Sequence, residues 1–232
     1  QTGGQGVAMA DYTVLDAEPY EFTFSEETTA LLIIDMQSDF VKPGGFGEML
    51  GNDVSQLSRA VAPTKVVLEE FRQLGIRVIH TREGHRPDMS DCPPTKKARG
   101  RLEAGIGDKG PMGRILIRGE AGHGIVEALQ PLPGEPVIDK PGKGSFYATD
   151  LERILGNWGI KSLVIAGVTT EVCVHTTVRE ANDRGFECLV LEDCVASYFP
   201  EFQKAAIDMI KAQGGIFGWV ASSPRLLEAI RR

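Results

Sequence analysis

Apolar residues fall along this chain in short unbroken runs, separated by stretches with helical spacing. Thr29 to Ile34 (TALLII) is continuously apolar and stops at Asp35, as expected of a strand buried on both faces. Ile76 to His80, Pro136 to Asp139, Ser162 to Ala166, Glu187 to Leu191 and Ile216 to Val220 predict five further strands. Between them, Leu57, Val61, Val66, Leu68, Phe71 and Leu74 predict a helix over Asp53 to Leu74, broken or kinked at Pro63 and stopped by Gly75. More helices are predicted over Thr149 to Trp158, over the stretch carrying Val174, Val178 and Ala181 as far as Gly185, over Phe199 to Gln213, and over Pro224 to Ile230. Alternating strands and helices imply an α/β fold: a three-layer α/β/α sandwich, doubly wound around a six-stranded, mostly parallel sheet. Thr81 to Glu120 breaks the pattern. It is long, rich in Gly, Pro and charge, and is expected to be a functional lid, an oligomer contact or both. Residues 1–19 are taken as a flexible tail, with 1–8 an expression remnant or frayed end and Met9 the native start. Residues 20–232 then form a single domain.

Composition narrows the partners. The 232 residues suffice for one sizeable domain, and the net charge of −7 argues against nucleic acid or an anionic membrane surface. No apolar run reaches membrane-spanning length, and no secretory signal is visible. The four cysteines, Cys92, Cys173, Cys188 and Cys194, show neither a CxxC pair nor zinc-type spacing, so reduced thiols and a cytoplasmic location are expected.

The chemistry centres on Gly167-Val168-Thr169-Thr170-Glu171-Val172-Cys173-Val174. This stretch joins a predicted strand to a predicted helix, with Thr169 or Thr170 as cap and Cys173 in the first turn. Unpaired N–H groups and the positive end of the helix dipole favour a thiolate there, and the same N–H groups are placed to hold an oxyanion. Asp35 and Lys140 also stand at the carboxyl ends of predicted strands, where open parallel sheets bind ligands. Taken singly, Cys173 also reads as a buried helix cysteine, Asp35 as a turn or cap residue, and Lys140 as a solvated lysine before proline. Together they supply a nucleophile, a proton carrier and a cation. A lysine beside the carboxylate would hold it ionised and lower the thiol pKa as well.

LLIIDMQSDF (Leu31 to Phe40), DKPGKGSF (Asp139 to Phe146) and GVTTEVCV (Gly167 to Val174) resemble, in this order, the motifs of the isochorismatase-like cysteine hydrolases. That family includes nicotinamidases and hydrolases of N-carbamoylsarcosine, ureidoacrylate and biuret. The likeness runs from about Tyr20 to the end. It implies a catalytic triad of Asp35, Lys140 and Cys173, a cis Val168–Thr169 peptide, and an oxyanion hole from the N–H groups of Thr169 and Cys173. HTREGHRPD (His80 to Asp88), AGIGDKGPMGRIL (Ala104 to Leu116), TTVREANDRGFECLVLEDC (Thr176 to Cys194) and QGGIFG (Gln213 to Gly218) are most similar to the biuret hydrolase branch. The Asp-x-His metal pair of nicotinamidases is missing: Asp53 is followed by Val54 and Ser55, and His85 alone is a weak ligand. No metal or other cofactor is therefore expected.

The resemblance implies hydrolysis of a terminal C–N bond of biuret, giving allophanate and ammonia, or of triuret, through an acyl-enzyme. Asp35 would serve both half-reactions. Gln213, whose amide both donates and accepts, is the candidate for the far end of a small neutral ureide. Arg82 and His85 are further candidates in the lid, and Phe40, Phe146 and Tyr147 are candidate apolar walls. A ureidoacrylate or N-carbamoyl amide hydrolase is the alternative, with Arg82 and Lys143 available for a substrate carboxylate; a nicotinamidase-like amidase is another. From other classes, a redox-active thiol protein would need a resolving cysteine, for which Cys194 is the candidate, and a non-catalytic binder would use the same cleft. The likeness also implies a homotetramer or dimer.

Overall fold

The computed structural model describes residues 10–100 and 104–232. The predicted expression remnant lies outside these residues. The strands, in chain order, are β1 (Asp11–Val14), β2 (Phe22–Ser25), β3 (Thr29–Ile34), β4 (Arg77–Glu83), β5 (Lys109–Gly110), β6 (Gly113–Arg114), β7 (Val137–Lys140), β8 (Ser162–Val168), β9 (Glu187–Ala196) and β10 (Trp219–Ala221). Six of them form one sheet in the order β10-β9-β8-β3-β4-β7, every neighbouring pair parallel. The chain starts at β3, winds outward through β4 to β7, then returns to β8 on the other side of β3 and winds outward through β9 to β10. The strand order therefore reverses between β3 and β8, and the crevice outside their carboxyl ends is the topological switch point.

Side-chain alternation packs helices on both faces. Along β3, Leu31 and Ile33 join one apolar cluster, with Val67, Leu68 and Phe71 of the Val61–Leu74 helix and Leu226 of the Ser223–Ile230 helix. Ala30, Leu32 and Ile34 join the other, with Leu151 and Leu155 of the Leu151–Asn157 helix, Val178 of the His175–Asp183 helix and Ile210 of the Pro200–Gly215 helix. The central strands are buried throughout, which accounts for their continuous apolar runs. Among the described residues no helix is long and apolar enough to cross a membrane.

Two expectations need correction. Residues 10–19 are not a loose tail: β1 pairs antiparallel with β2, burying Val14 against Phe22 and Phe24, and Glu18 bridges to Val220. The predicted helix over Asp53 to Leu74 is two helices, Ser55–Ser58 and Val61–Leu74. Pro63 breaks neither, because it occupies the first turn of the second, where a missing N–H costs nothing. The described part of Thr81 to Glu120 is tied to the body of the fold. Its start is the end of β4. His85 exchanges backbone hydrogen bonds with Leu116 and Arg118, and Ile115, Leu116 and Ile117 are buried.

Candidate active site

β3, β4, β7 and β8 each end at the switch point and each delivers a polar residue there. Thr81 and Glu83 come from β4, Lys140 ends β7, and Asp35 and Cys173 follow β3 and β8. Asp35 has a left-handed backbone (φ 51°), a region that Asp tolerates better than most residues. This turn lets its N–H bond the Thr81 carbonyl at 3.1 Å, while the Thr81 hydroxyl donates to Asp35 Oδ1 at 2.7 Å. Lys140 Nζ stands 2.8 Å from Asp35 Oδ2, both side chains fully buried. The ammonium donates to the carbonyls of Gly142 and Lys143 at 2.9 and 2.8 Å. Among the described residues, Oδ2 receives no aligned hydrogen bond, so its lone pairs stay available for a proton. Burial works against the Lys140 charge, but Asp35, Cys173 and Glu83 outweigh it and hold the ammonium above its ordinary range.

Cys173 sits in a π turn, Thr170–Val174, inserted between β8 and the His175–Asp183 helix. The expected first α-helical turn is thus a wider one. Thr169 occupies the cap position without using its hydroxyl, and its carbonyl accepts the N–H groups of Val172 and Val174 at 3.1 and 3.2 Å. The Val168–Thr169 peptide is cis. Gly167, at φ 125°, allows β8 to pass this close to β3: a Cβ there would lie 2.1 Å from the Ile34 carbonyl oxygen.

The thiol departs from expectation in its acidity. Burial pushes it well above the usual thiol range, and Asp35 and Glu83 push the same way; Lys140 and Lys143 pull it down without prevailing. These influences favour the thiol over the thiolate, so attack requires an acceptor for its proton. One atom each of Asp35, Glu83 and Cys173 lie within 4.8 Å of one another. These donors do not suit a metal ion, since lysine ammonium groups already stand 2.8 Å from Asp35 and 2.7 Å from Glu83.

Glu83 escapes the sequence reading, which ends its strand at His80. β4 in fact continues three residues further, and strand parity then aims Glu83 into the site. The thiol donates to Glu83 Oε2 at 3.8 Å. Oε1 is gripped by Lys143 at 2.7 Å and Lys96 at 3.5 Å. Gln37 clamps the backbone from both sides: it accepts the Glu83 N–H at 2.7 Å and donates to the Glu83 carbonyl at 2.9 Å. Burial would raise the Glu83 carboxyl, but Lys143, Lys140 and Lys96 overcome it and hold it below its ordinary value.

The cleft above the sulfur has a volume of about 510 Å³, and its lining includes Phe40, Glu83, Lys143, Thr169, Cys173 and Tyr198. Of the residues expected to touch substrate, Phe40 is there. Arg82 is not: it is Glu83's neighbour on a strand, points to the opposite face and pairs with Asp139 at 2.9 Å. His85 is fully buried behind the wall, between Asp91 and Lys96. Phe146 is core, stacked on Phe186, and Tyr147 is exposed over a neighbouring groove. Gln213 is exposed, at a left-handed kink (φ 55°) near the end of the Pro200–Gly215 helix. A crossover helix runs antiparallel to the strands, so its end lies at their amino termini, away from the cleft of its own chain. Cys194 cannot act as a resolving thiol for Cys173, because the two belong to apolar clusters on opposite faces of the sheet.

Comparison with known proteins agrees with this geometry. A family model described as Isochorismatase domain matches residues 29–223. The chain is 35% identical to the ureidoacrylate amidohydrolase RutB of Pantoea ananatis, over 94% of this chain and 88% of that protein. An isochorismatase family protein from Desulfovibrio vulgaris superposes with a TM-score of 0.73 at 26% identity, covering 89% of this chain and all of that one. N-carbamoylsarcosine amidase from Thermoplasma acidophilum superposes with a TM-score of 0.65 at 25% identity, covering 84% and 96%.

Proposed function

The chain belongs to the isochorismatase family of hydrolases, and from that premise we propose that it is a cysteine-dependent amidohydrolase cleaving a C–N bond of a small ureide. The observation that carries this reading is the buried Asp35–Lys140 ion pair beside Cys173 at the switch point. When a substrate carbonyl reaches the sulfur, Asp35 takes the thiol proton and the sulfur attacks the carbon. The N–H groups of Thr169 and Cys173 hold the oxyanion, and Lys140 balances the charge of Asp35. Asp35 returns the proton to the departing nitrogen, leaving a thioester for water to hydrolyse. Lysine ammonium groups supply the positive charge of this site, so no metal takes part.

The ureidoacrylate amidohydrolase relative favours an acidic ureide of that type. A specific observation favours a neutral one such as biuret or triuret: Lys143 is committed to Glu83, and Arg82 to Asp139 outside the cleft, so neither is free to grip a substrate carboxylate. Ammonia release from biuret, triuret, ureidoacrylate and nicotinamide tests both. Turnover of a ureide by the wild type, abolished in Cys173→Ser, is the expected result. Turnover of nicotinamide alone, or undiminished turnover in Cys173→Ser, would sink the reading.

The chain is also proposed to self-associate. Phe202 and Met209 are large, exposed and seven residues apart on the Pro200–Gly215 helix, with exposed Phe199 at its start, which gives a face able to pair with its own copy. Its four cysteines stand free, in keeping with a reducing, cytoplasmic setting.

A further inference from the structure

Two carboxylates flank the sulfur, and they are not equivalent. Asp35 is fully buried beside Lys140 and contributes nothing to the cleft wall. Glu83 lines the open cleft together with Cys173, and it accepts the thiol's hydrogen bond. Its Oε1 is taken by two lysines and its backbone is locked by Gln37, which leaves Oε2 fixed toward the sulfur. Once sulfur carries an acyl group, Oε2 loses its donor. Water must arrive through the cleft, on the side where Glu83 stands.

We infer that Glu83 is the base of the second half-reaction, activating the water that hydrolyses the thioester, while Asp35 serves the first. This rests on the amidohydrolase reading above. In the step, Glu83 Oε2 takes one proton from water as the water oxygen bonds to the acyl carbon. The C–S bond then breaks with its electron pair going to sulfur, and the proton passes from Glu83 to the thiolate. Acyl-enzyme and water become the acid and the free thiol. The lysines around Glu83 keep it ionised for this role, and their cost is weaker basicity, which proximity to the sulfur offsets.

An activated ester tests this without a ureide. p-Nitrophenyl acetate should acetylate Cys173 in the wild type, giving a nitrophenol burst followed by steady release. In Glu83→Gln the burst should keep its amplitude, and intact-mass spectrometry should find one acetyl group per chain. Loss of that group should slow by ~10² or more, the range for removing a positioned base. Lys143→Met, which strips Glu83 of its strongest counter-charge, should move the acid limb of deacylation to higher pH; a purely structural role would not shift that limb. Glu83→Asp keeps the charge at shorter reach and should deacylate at an intermediate rate, which covers a Gln variant that fails to fold. Deacetylation at the wild-type rate in folded Glu83→Gln, or loss of the burst itself, would overturn the inference. A wild type that deacylates fast yet releases no ammonia from any ureide would sink the proposed function and leave Glu83 its role. A wild type that takes no acyl group overturns both.

Discussion

At the scale of single residues, the decisive contest is between burial and charge at one sulfur. The two motifs beside Asp35 and Cys173 make both residues legible from sequence, but the sign of the thiol shift depends on how much water the fold excludes, and no motif encodes that. Burial wins, so the thiolate fraction at neutral pH is small and falls tenfold for each unit by which the pKa exceeds the pH. Alkylation of Cys173 by iodoacetamide should therefore be slower than that of an exposed cysteine, and should keep rising with pH without a plateau below pH ~9. Lys140→Met should slow it further at every pH, by ~10-fold or more, because Lys140 is the strongest influence pulling the thiol down. A plateau reached near neutrality would show that the resting state is a thiolate. With a protonated resting thiol, the proposed scheme uses Asp35 as its acceptor. Asp35→Asn should cut kcat by ~10²–10⁴ while leaving thermal unfolding cooperative. A loss under tenfold would remove Asp35 from the proton path.

At the scale of elements, the sequence yields strand and helix types readily, and their ends less so. β4 shows the consequence. Charged residues at its carboxyl end mask three residues of strand, and with them the parity that separates Glu83 from Arg82. Gln213 shows another: its polarity suits a ureide, but a crossover helix carries its last turn to the far end of the sheet. Arg82, His85, Phe146 and Tyr147 fail as cleft residues because neighbours in sequence diverge once strand parity and loop direction are set. The contact between β3 and β8 is a matter of backbone clearance. A Cβ at Gly167 would meet the Ile34 oxygen at 2.1 Å and its nitrogen at 2.5 Å, both backbone atoms that cannot rotate away. Gly167→Ala should destabilise by about 4 kcal/mol or more, lowering Tm by roughly 10 °C. Gly159→Ala is the control, since it shares a positive φ (67°) and meets nothing within 4 Å. It should lose only about 1–2 kcal/mol. Equal melting losses for the two variants would mean that the β3–β8 approach is not what requires Gly167.

At the scale of the whole molecule, alternation of strands and helices makes the α/β class legible, yet strand order comes only from pairing. That order creates the switch point, and it brings Asp35, Lys140 and Cys173, separated along the chain, to one place. The same winding sends the Pro200–Gly215 helix from the mouth of the cleft, where Phe199 joins the wall, down the outside of the sheet to Gln213. Phe199, Phe202 and Met209 stand 42–51% exposed along this path, an apolar stripe of the kind that marks contact surfaces. Two copies meeting through it around a twofold axis would cover the stripe on both. If the helices cross antiparallel, the Gln213 end of each lies toward the cleft mouth of the other. That arrangement would bring Gln213 toward a substrate. Light scattering at micromolar concentration should give at least twice the 25.2 kDa chain mass. Phe202→Asp with Met209→Asp should return the chain to 25.2 kDa with its circular dichroism unchanged, because neither side chain is part of the core. In the wild-type assembly Gln213→Ala should raise KM for the preferred ureide, and in the Asp variant the same change should have no effect. A wild type of monomeric mass, or an oligomer indifferent to both Asp substitutions, would remove this helix face from self-association and return Gln213 to a solvent-facing kink.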